Sequence, residues 1–130
     1  MTTGLQRHLD RKADLAALGR ALARRAHSSC ELCGARETSL SAAEVDPLPE
    51  SPHLNHVALL CATCSGAIEG GCMHESESRF LEVAVWSELP PVQVLAVRLT
   101  RRLAAEGVSW AAPLLDDLYL PPEVEHRLGA

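Results

Sequence analysis

The chain has 130 residues, which is enough for one compact domain or for a small metal-stapled unit joined to a helical one. It is 47% hydrophobic but contains only two Trp, one Tyr and one Phe. The core must therefore consist mainly of Leu, Val and Ala, which favours packed helices. The net charge of −5 argues against generic binding to nucleic acid. There is no bilayer-length apolar run and no secretory signal at the N-terminus, so we expect a cytoplasmic protein with no membrane partner.

Charge is distributed unevenly along the chain. Residues 1–36 carry seven Lys or Arg against three Asp or Glu, whereas residues 37–97 carry one against nine. The simplest interpretation of the basic segment is one solvated helix face. The alternative is a docking surface for an anionic partner, for which the candidates are Arg20, Arg24 and Arg25.

Residues 1–29 are predicted to contain one N-terminal amphipathic helix, over residues 5–27. Its apolar residues recur mostly at steps of three and four, with the arginines between them. These apolar residues are Leu5, Leu9, Leu15, Leu18, Leu22 and Ala26. Ser28 and Ser29 end the helix.

Residues 30–72 are predicted to form a loop-rich unit with two short strands. The strand-like runs are TSLSAAEV and HVALLC, and the segment between them holds three prolines and no helical period. The few hydrophobic residues of this unit could not hold it folded alone. A metal ion would supply the missing stability.

Residues 73–130 are predicted to be helical and to pack with the N-terminal helix. A first helix begins at Ser76 or Ser78 and breaks at SELPP, and the next helix starts at the two prolines and ends at Gly107. The predicted buried stripe of that second helix is Val92, Leu95, Ala96, Leu99 and Leu103. A short helix capped by Ser109 and a last helical turn or two in PPEVEHRLG complete the chain.

Two C-x2-C pairs, Cys30/Cys33 and Cys61/Cys64, are separated by 27 residues. Each spacing lets a tight turn aim both sulfurs at one ion, so the four thiolates complete a tetrahedral site for one structural zinc ion. Iron, an iron–sulfur cluster and redox-active pairs are the alternatives. The pattern leaves open whether the unit is a zinc ribbon or a treble clef. It also leaves open the roles of Cys72 and His74, which could form a spare metal pair or a reactive thiol with a base.

The same segment has a likeness to HNH-type nucleases, which place a strand–loop–strand element between two such pairs. In that family a histidine follows the aspartate, but here Asp46 is followed by Pro47. Ser65 stands where a histidine often follows the last cysteine. Since the residues that would hold a catalytic metal and activate water are missing, this likeness favours a shared scaffold rather than nuclease activity.

Taken together, CELCG, LLCATC, residues 86–94 and residues 110–120 resemble the PhnA-type proteins of alkylphosphonate-utilisation operons. The N-terminal region of that family carries a four-cysteine zinc ribbon, then a W-S-E-x-P-x-V-Q-V segment and a W-A-x-x-L-L-D-x-x-Y-L segment. The resemblance covers most of residues 15–120 and implies the same four cysteine ligands. The C-terminal barrel domain of longer members has no counterpart in these 130 residues, and Ser78-Arg79 stands where Trp-Arg is expected.

The sequence therefore predicts an α+β, mainly α fold, in which a helical domain carries a small four-cysteine β-hairpin unit. The predicted function is that of a non-enzymatic zinc-binding accessory protein, with a protein partner favoured over nucleic acid. The alternatives are a nucleic-acid-binding module derived from a decayed nuclease and, with less support, an enzyme of phosphonate metabolism. The second interaction surface that we consider is Trp86, Ser87, Glu88 and Gln93, whose simpler interpretation is core packing at a helix junction.

Overall fold

The computed structural model describes residues 3–129, which contain seven α-helices and one two-stranded antiparallel sheet. The predicted α+β, mainly α fold is confirmed. In chain order the elements are α1 (Gly4–Ala17), α2 (Gly19–Ala26), β1 (Leu40–Glu44), β2 (Val57–Cys61), α3 (Ala62–Ile68), α4 (Leu81–Ala84), α5 (Pro90–Ala105), α6 (Ala111–Asp117) and α7 (Pro122–Gly129).

The predicted N-terminal helix is two helices that meet at Leu18. The amide of Leu18 bonds the carbonyl three residues earlier, and Gly19, a poor helix former, follows it. Helix α2 buries Leu22 and Ala26, whereas α1 buries no residue. The first part of the predicted apolar stripe, at Leu5 and Leu9, is therefore exposed.

The two-stranded sheet lies between two hydrophobic clusters. All five residues of β2 are buried. Val57 and Leu59 pack with Leu22 of α2, whereas Ala58 and Leu60 belong to the larger cluster that contains α5. Because successive side chains of a strand point to opposite faces, β2 contributes to both cores.

Helix α5 is the centre of the C-terminal region and packs against α4, α6, α7 and β2. It starts at the two prolines after an extended Leu89, and Gly107 just beyond its end has φ +87°, as predicted. The predicted stripe is buried, but the burial extends further round the helix. The buried residues are Pro91, Val92, Gln93, Val94, Leu95, Ala96, Val97, Leu99, Thr100 and Leu103.

The two shorter predicted helices begin later than expected. Before α4, residues 75–77 form a single 3-10 turn, and the Ser78 hydroxyl donates to the Glu75 carbonyl at 2.8 Å. This local bond holds a turn in place of regular helix, which begins only at Leu81 and runs for one turn. Helix α6 starts at Ala111 with Trp110 at its N-cap, so Ser109 is not the cap residue.

The predicted segments 1–29, 30–72 and 73–130 meet at the hairpin, since α2 packs on one side of β2 and α5 on the other. Residues 1, 2 and 130 lie outside the described part of these segments. The boundaries, and direct packing of residues 73–130 on the first helix, stay predictions. No helix in the described chain is long and apolar enough to cross a membrane. The cytoplasmic location stays a prediction.

Candidate metal centre

The first cysteine pair lies in a tight turn that follows α2. His27 and Ser28 both adopt left-handed backbone conformations, with φ of 53° and 56°, which turn the chain out of the helix. The Cys33 amide then donates to the Cys30 sulfur at 3.5 Å, and the Gly34 amide donates to the Cys30 carbonyl at 2.9 Å. Gly34 has φ +82°, a conformation that glycine adopts without steric cost. These bonds form a knuckle that points both sulfurs the same way.

The second pair spans the end of a strand and the start of a helix. Cys61 is the last residue of β2 and the N-cap of α3, and Cys64 lies in the first turn of α3. Helix α3 was not predicted, because Gly66 and the paired glycines that follow obscure its period. The order of knuckle, hairpin and helix is that of a treble clef, whereas a ribbon would place the second pair in a second knuckle.

The four cysteine sulfurs form one compact cluster. All four ligand atoms lie within 4.8 Å of one another, and the sulfurs of Cys33 and Cys61 are 3.7 Å apart. The four cysteines are free, and a tetrahedral zinc–thiolate site with bonds of about 2.3 Å requires sulfur–sulfur distances of about 3.8 Å. Cys30, Cys61 and Cys64 are buried and Cys33 is partly exposed. This cluster could hold a metal ion.

Hydrogen bonds and burial shift the pKa values of the cluster cysteines in opposite directions. The Cys64 thiol donates to the Cys30 sulfur and, with nearby backbone amides, lowers the pKa of Cys30 to about 4. The same bond, together with burial, raises the pKa of Cys64 far above its usual range. Burial is the main reason that the pKa of Cys33 rises to about 11. At neutral pH, a divalent cation must displace at least the Cys33 and Cys64 protons to bind all four sulfurs.

A buried ion pair joins the first knuckle to α2 and β2. The Arg25 guanidinium donates to both carboxylate oxygens of Glu31 at 2.7 and 2.6 Å, and to the carbonyls of Leu54 and Val57 at 2.8 and 2.7 Å. Glu31, whose side chain is only 3% exposed, also accepts from the Leu59 amide at 2.8 Å. Since Glu31 lies between the first two cysteines, this pair fixes the knuckle on the hairpin.

A second arginine holds the end of α3 against α5. Arg102 donates to the Ala67 carbonyl at 2.7 Å and to the Gly71 carbonyl at 3.1 Å. A side chain at Gly71 would place its Cβ 2.7 Å from the Gly66 carbonyl oxygen, so glycine is required where the chain returns past α3. These contacts position the helix that carries Cys64.

Among the described residues, no other group of three or more His, Cys, Asp or Glu side chains converges on a common point. The His53 ring nitrogen accepts from the Asn55 amide at 3.1 Å, and the His56 ring contacts the Pro47 carbonyl at 3.1 Å. Cys72 and His74 are exposed beyond α3. None of these four residues joins the cysteine cluster.

The structure divides the predicted basic surface. Arg20 and Arg24 are exposed on α2, but the Arg25 guanidinium is committed to Glu31 and to two backbone carbonyls. Arg25 therefore has a structural role, which the charge pattern alone did not reveal. The signal that was available is Glu31, an acidic residue inside a C-x2-C pair and six residues from Arg25.

The second predicted surface is divided in the same way. Trp86 and Glu88 are exposed and Ser87 is partly exposed, but Gln93 is buried and donates to the Val85 carbonyl at 2.8 Å. Gln93 thus ties α5 to the end of α4 rather than facing solvent.

Known proteins add no identification. No protein-family model, curated protein or solved structure matches the chain. The resemblance to PhnA-type proteins stays a prediction from the motifs.

Proposed function

We propose that the protein is a non-enzymatic zinc-binding accessory protein of the PhnA type, which uses one structural zinc ion to hold a surface for a macromolecular partner. The observation that carries this proposal is the convergence of four cysteine sulfurs within 4.8 Å. Four thiolates saturate a tetrahedral ion and leave no position for water or substrate. Such a site stabilises the fold and does not activate a substrate.

Zinc is the ion that we assign to this site. Soft thiolate ligands in a tetrahedral arrangement select zinc or iron over hard cations such as magnesium and calcium. The sulfur–sulfur distance of 3.7 Å matches the spacing for a single zinc ion. The ion would be held by two residues of the knuckle, Cys30 and Cys33, and by two at the start of α3, Cys61 and Cys64.

Elemental analysis of the purified chain tests the assignment. We expect one zinc per chain, retained through gel filtration, and visible absorption bands of tetrahedral thiolate coordination after exchange for Co²⁺. Cys64→Ser should lose the metal, whereas Cys72→Ser should keep it, because Cys72 is exposed and outside the cluster. Iron or sulfide in stoichiometric amount, or full zinc content in Cys64→Ser, would contradict the proposal.

Nucleic-acid binding is the second candidate function. The observation in its favour is that Arg20 and Arg24 remain exposed on α2, within the basic part of the chain. Retention of the zinc-loaded protein on DNA or RNA should then fall steeply with salt, and the Arg20→Ala/Arg24→Ala variant should lose it. Retention that is absent at low salt, or that survives in the double variant, rules out this use of α2.

A further inference from the structure

A groove of about 380 Å³ lies between the junction of α4 with α5 and the connection from α6 to α7. We call it the aromatic groove. The side chains that give it its chemistry are Trp86, Glu88, Pro90, Tyr119, Pro121 and Glu123. The sequence pattern drew attention to Trp86, Ser87, Glu88 and Gln93, which all line the groove, whereas Tyr119 and Glu123 reach it through the tertiary fold.

Two of the four aromatic residues of the chain are exposed at this one place. Trp86 is 50% exposed and Tyr119 is 80% exposed, although they are separated by more than thirty residues in the sequence. The core is built from aliphatic side chains, with Phe80 and Trp110 packed at its edge. Exposed aromatic residues that cluster in a concave surface mark interaction sites, because they bury a large area with few rotatable bonds.

The walls of the groove are held in place by internal bonds. Buried Gln93 donates to the Val85 carbonyl at 2.8 Å, directly before Trp86. The Leu89 amide donates to the Ser87 hydroxyl oxygen at 3.2 Å. On the other wall Val124 is buried at the start of α7. A groove that is already formed loses little conformational entropy when it binds a ligand.

The charge of the groove favours a cationic ligand. Glu88 and Glu123 line it, and no Lys, Arg or His is among its lining side chains in the described part of the chain. Glu123 also pairs with Arg127, which is buried, whereas Glu88 pairs with no Lys, Arg or His among residues 3–129. The faces of Trp and Tyr attract arginine and lysine through their π systems, and phosphate groups would be repelled by the carboxylates.

We propose that the aromatic groove binds an extended segment of a partner protein that carries an arginine or lysine beside proline or other apolar residues. Grooves that combine exposed aromatic and prolyl surfaces recognise polyproline-like backbones, and the acidic residues would orient the cationic side chain. The inference rests on the proposed function, because it identifies the class of partner that an accessory protein of this kind binds.

Selection from a random ten-residue peptide library displayed on phage tests this inference. The target is the full zinc-loaded chain, and phage that bind the empty support are removed. We expect the enriched peptides to contain arginine or lysine, and their synthetic versions to quench tryptophan fluorescence. Trp86→Ala and Tyr119→Ala should each weaken binding at least about tenfold. Glu88→Gln should weaken it about threefold and reduce its salt dependence.

Val83→Ala is the matched control, because Val83 is an exposed apolar residue of α4 that does not line the groove. It should bind the peptides with unchanged affinity. The inference is overturned if no peptide is enriched, if the enriched peptides are acidic, or if they bind Tyr119→Ala as tightly as the original chain. Peptides that bind through Arg20 and Arg24 instead would overturn the assignment of the groove but keep an interaction function for the protein. The zinc content of each sample shows whether a loss of binding comes from the groove or from a failed metal site.

Discussion

Helix α5 buries ten of its sixteen residues, whereas in the hairpin β1 buries none and β2 buries all five. The C-terminal region therefore has a continuous apolar core around one helix. The hairpin unit has one buried strand, a cysteine cluster and a largely buried ion pair between Arg25 and Glu31. An isolated two-stranded hairpin is marginally stable at best in water. The difference predicts that apolar packing stabilises the C-terminal region, while residues 30–71, which share part of that core, also need the proposed metal and specific polar contacts.

The largest effect should come from loss of the metal. Binding of zinc to structural sites is worth about 10–16 kcal/mol at neutral pH, as much as the whole stability of a typical domain. Chelation of the metal, or Cys64→Ser, should therefore unfold residues 30–71 while the central turns of α5 stay folded. Hydrogen–deuterium exchange measures this as fast exchange in β2 and α3 with continued protection in α5. Equal loss of protection in α5 would show that the two regions form one cooperative unit.

The next largest effect should come from the ion pair inside the hairpin unit. Arg25→Met leaves the Glu31 carboxylate buried without its partner, which should cost about 3–5 kcal/mol. Denaturant unfolding of the zinc-loaded protein measures the change. The matched control Arg24→Met removes an exposed arginine from the same helix and should change stability by less than about 0.5 kcal/mol. If the two variants are equally stable, the ion pair does not brace the knuckle.

A substitution in the α5 core should destabilise the C-terminal region without removing the metal from the hairpin unit. Leu103 is fully buried, so Leu103→Ala should destabilise the protein by about 2–5 kcal/mol through lost burial and a cavity. Because Leu103 contributes no atom to the four-cysteine cluster, the variant should still bind one zinc per chain. A denaturation curve and a metal assay on the same sample check both statements. A drop in zinc content would mean that the α5 core also shapes the metal site.

The remaining effect is measured as metal affinity rather than as free energy of unfolding, and it depends on pH. Between pH 6 and pH 8 the raised pKa values keep Cys33 and Cys64 protonated in the metal-free cluster, while the low pKa of Cys30 keeps it ionised. Metal binding then releases at least two protons, so the apparent affinity should fall by a factor of at least about one hundred for each pH unit of acidification. Competition with a chelator of known affinity measures the slope. If the logarithm of the metal affinity changes by less than two for each pH unit, one of these thiols is already ionised before the metal binds.

The sequence predicted those parts of the molecule whose signal is local. One short stretch of sequence holds the prolines, the apolar period and the terminal glycine of α5. The spacing within each C-x2-C pair is enough to predict that its two sulfurs face one ion. Helix α3 was missed because its glycines obscure the helical period, and the break at Leu18 was missed because the apolar steps of three and four continue across it. Propensity is a weak guide where tertiary packing decides the outcome.

The polar contacts show the same limit. The basic charge of residues 1–36 makes Arg25 a candidate for an interaction surface, and the segment around Trp86 does the same for Gln93, but each is bonded internally. Tyr119 and Glu123 could not be joined to Trp86 without knowing how the α6–α7 connection folds back. The sequence pattern does not reveal contacts between residues that are far apart along the chain.

The pairing of β1 with β2 sets a limit on how the length of this chain can vary. Leu40 lies opposite Cys61 and Glu44 lies opposite Val57. One residue inserted within β2 would reverse the facing of every later side chain in the strand and would turn Cys61 away from the other three cysteines. Residues added to the loop 45–56 would leave these partners unchanged. We therefore expect natural variants to differ in length between the strands and to keep the spacing from Val57 to Cys64 fixed.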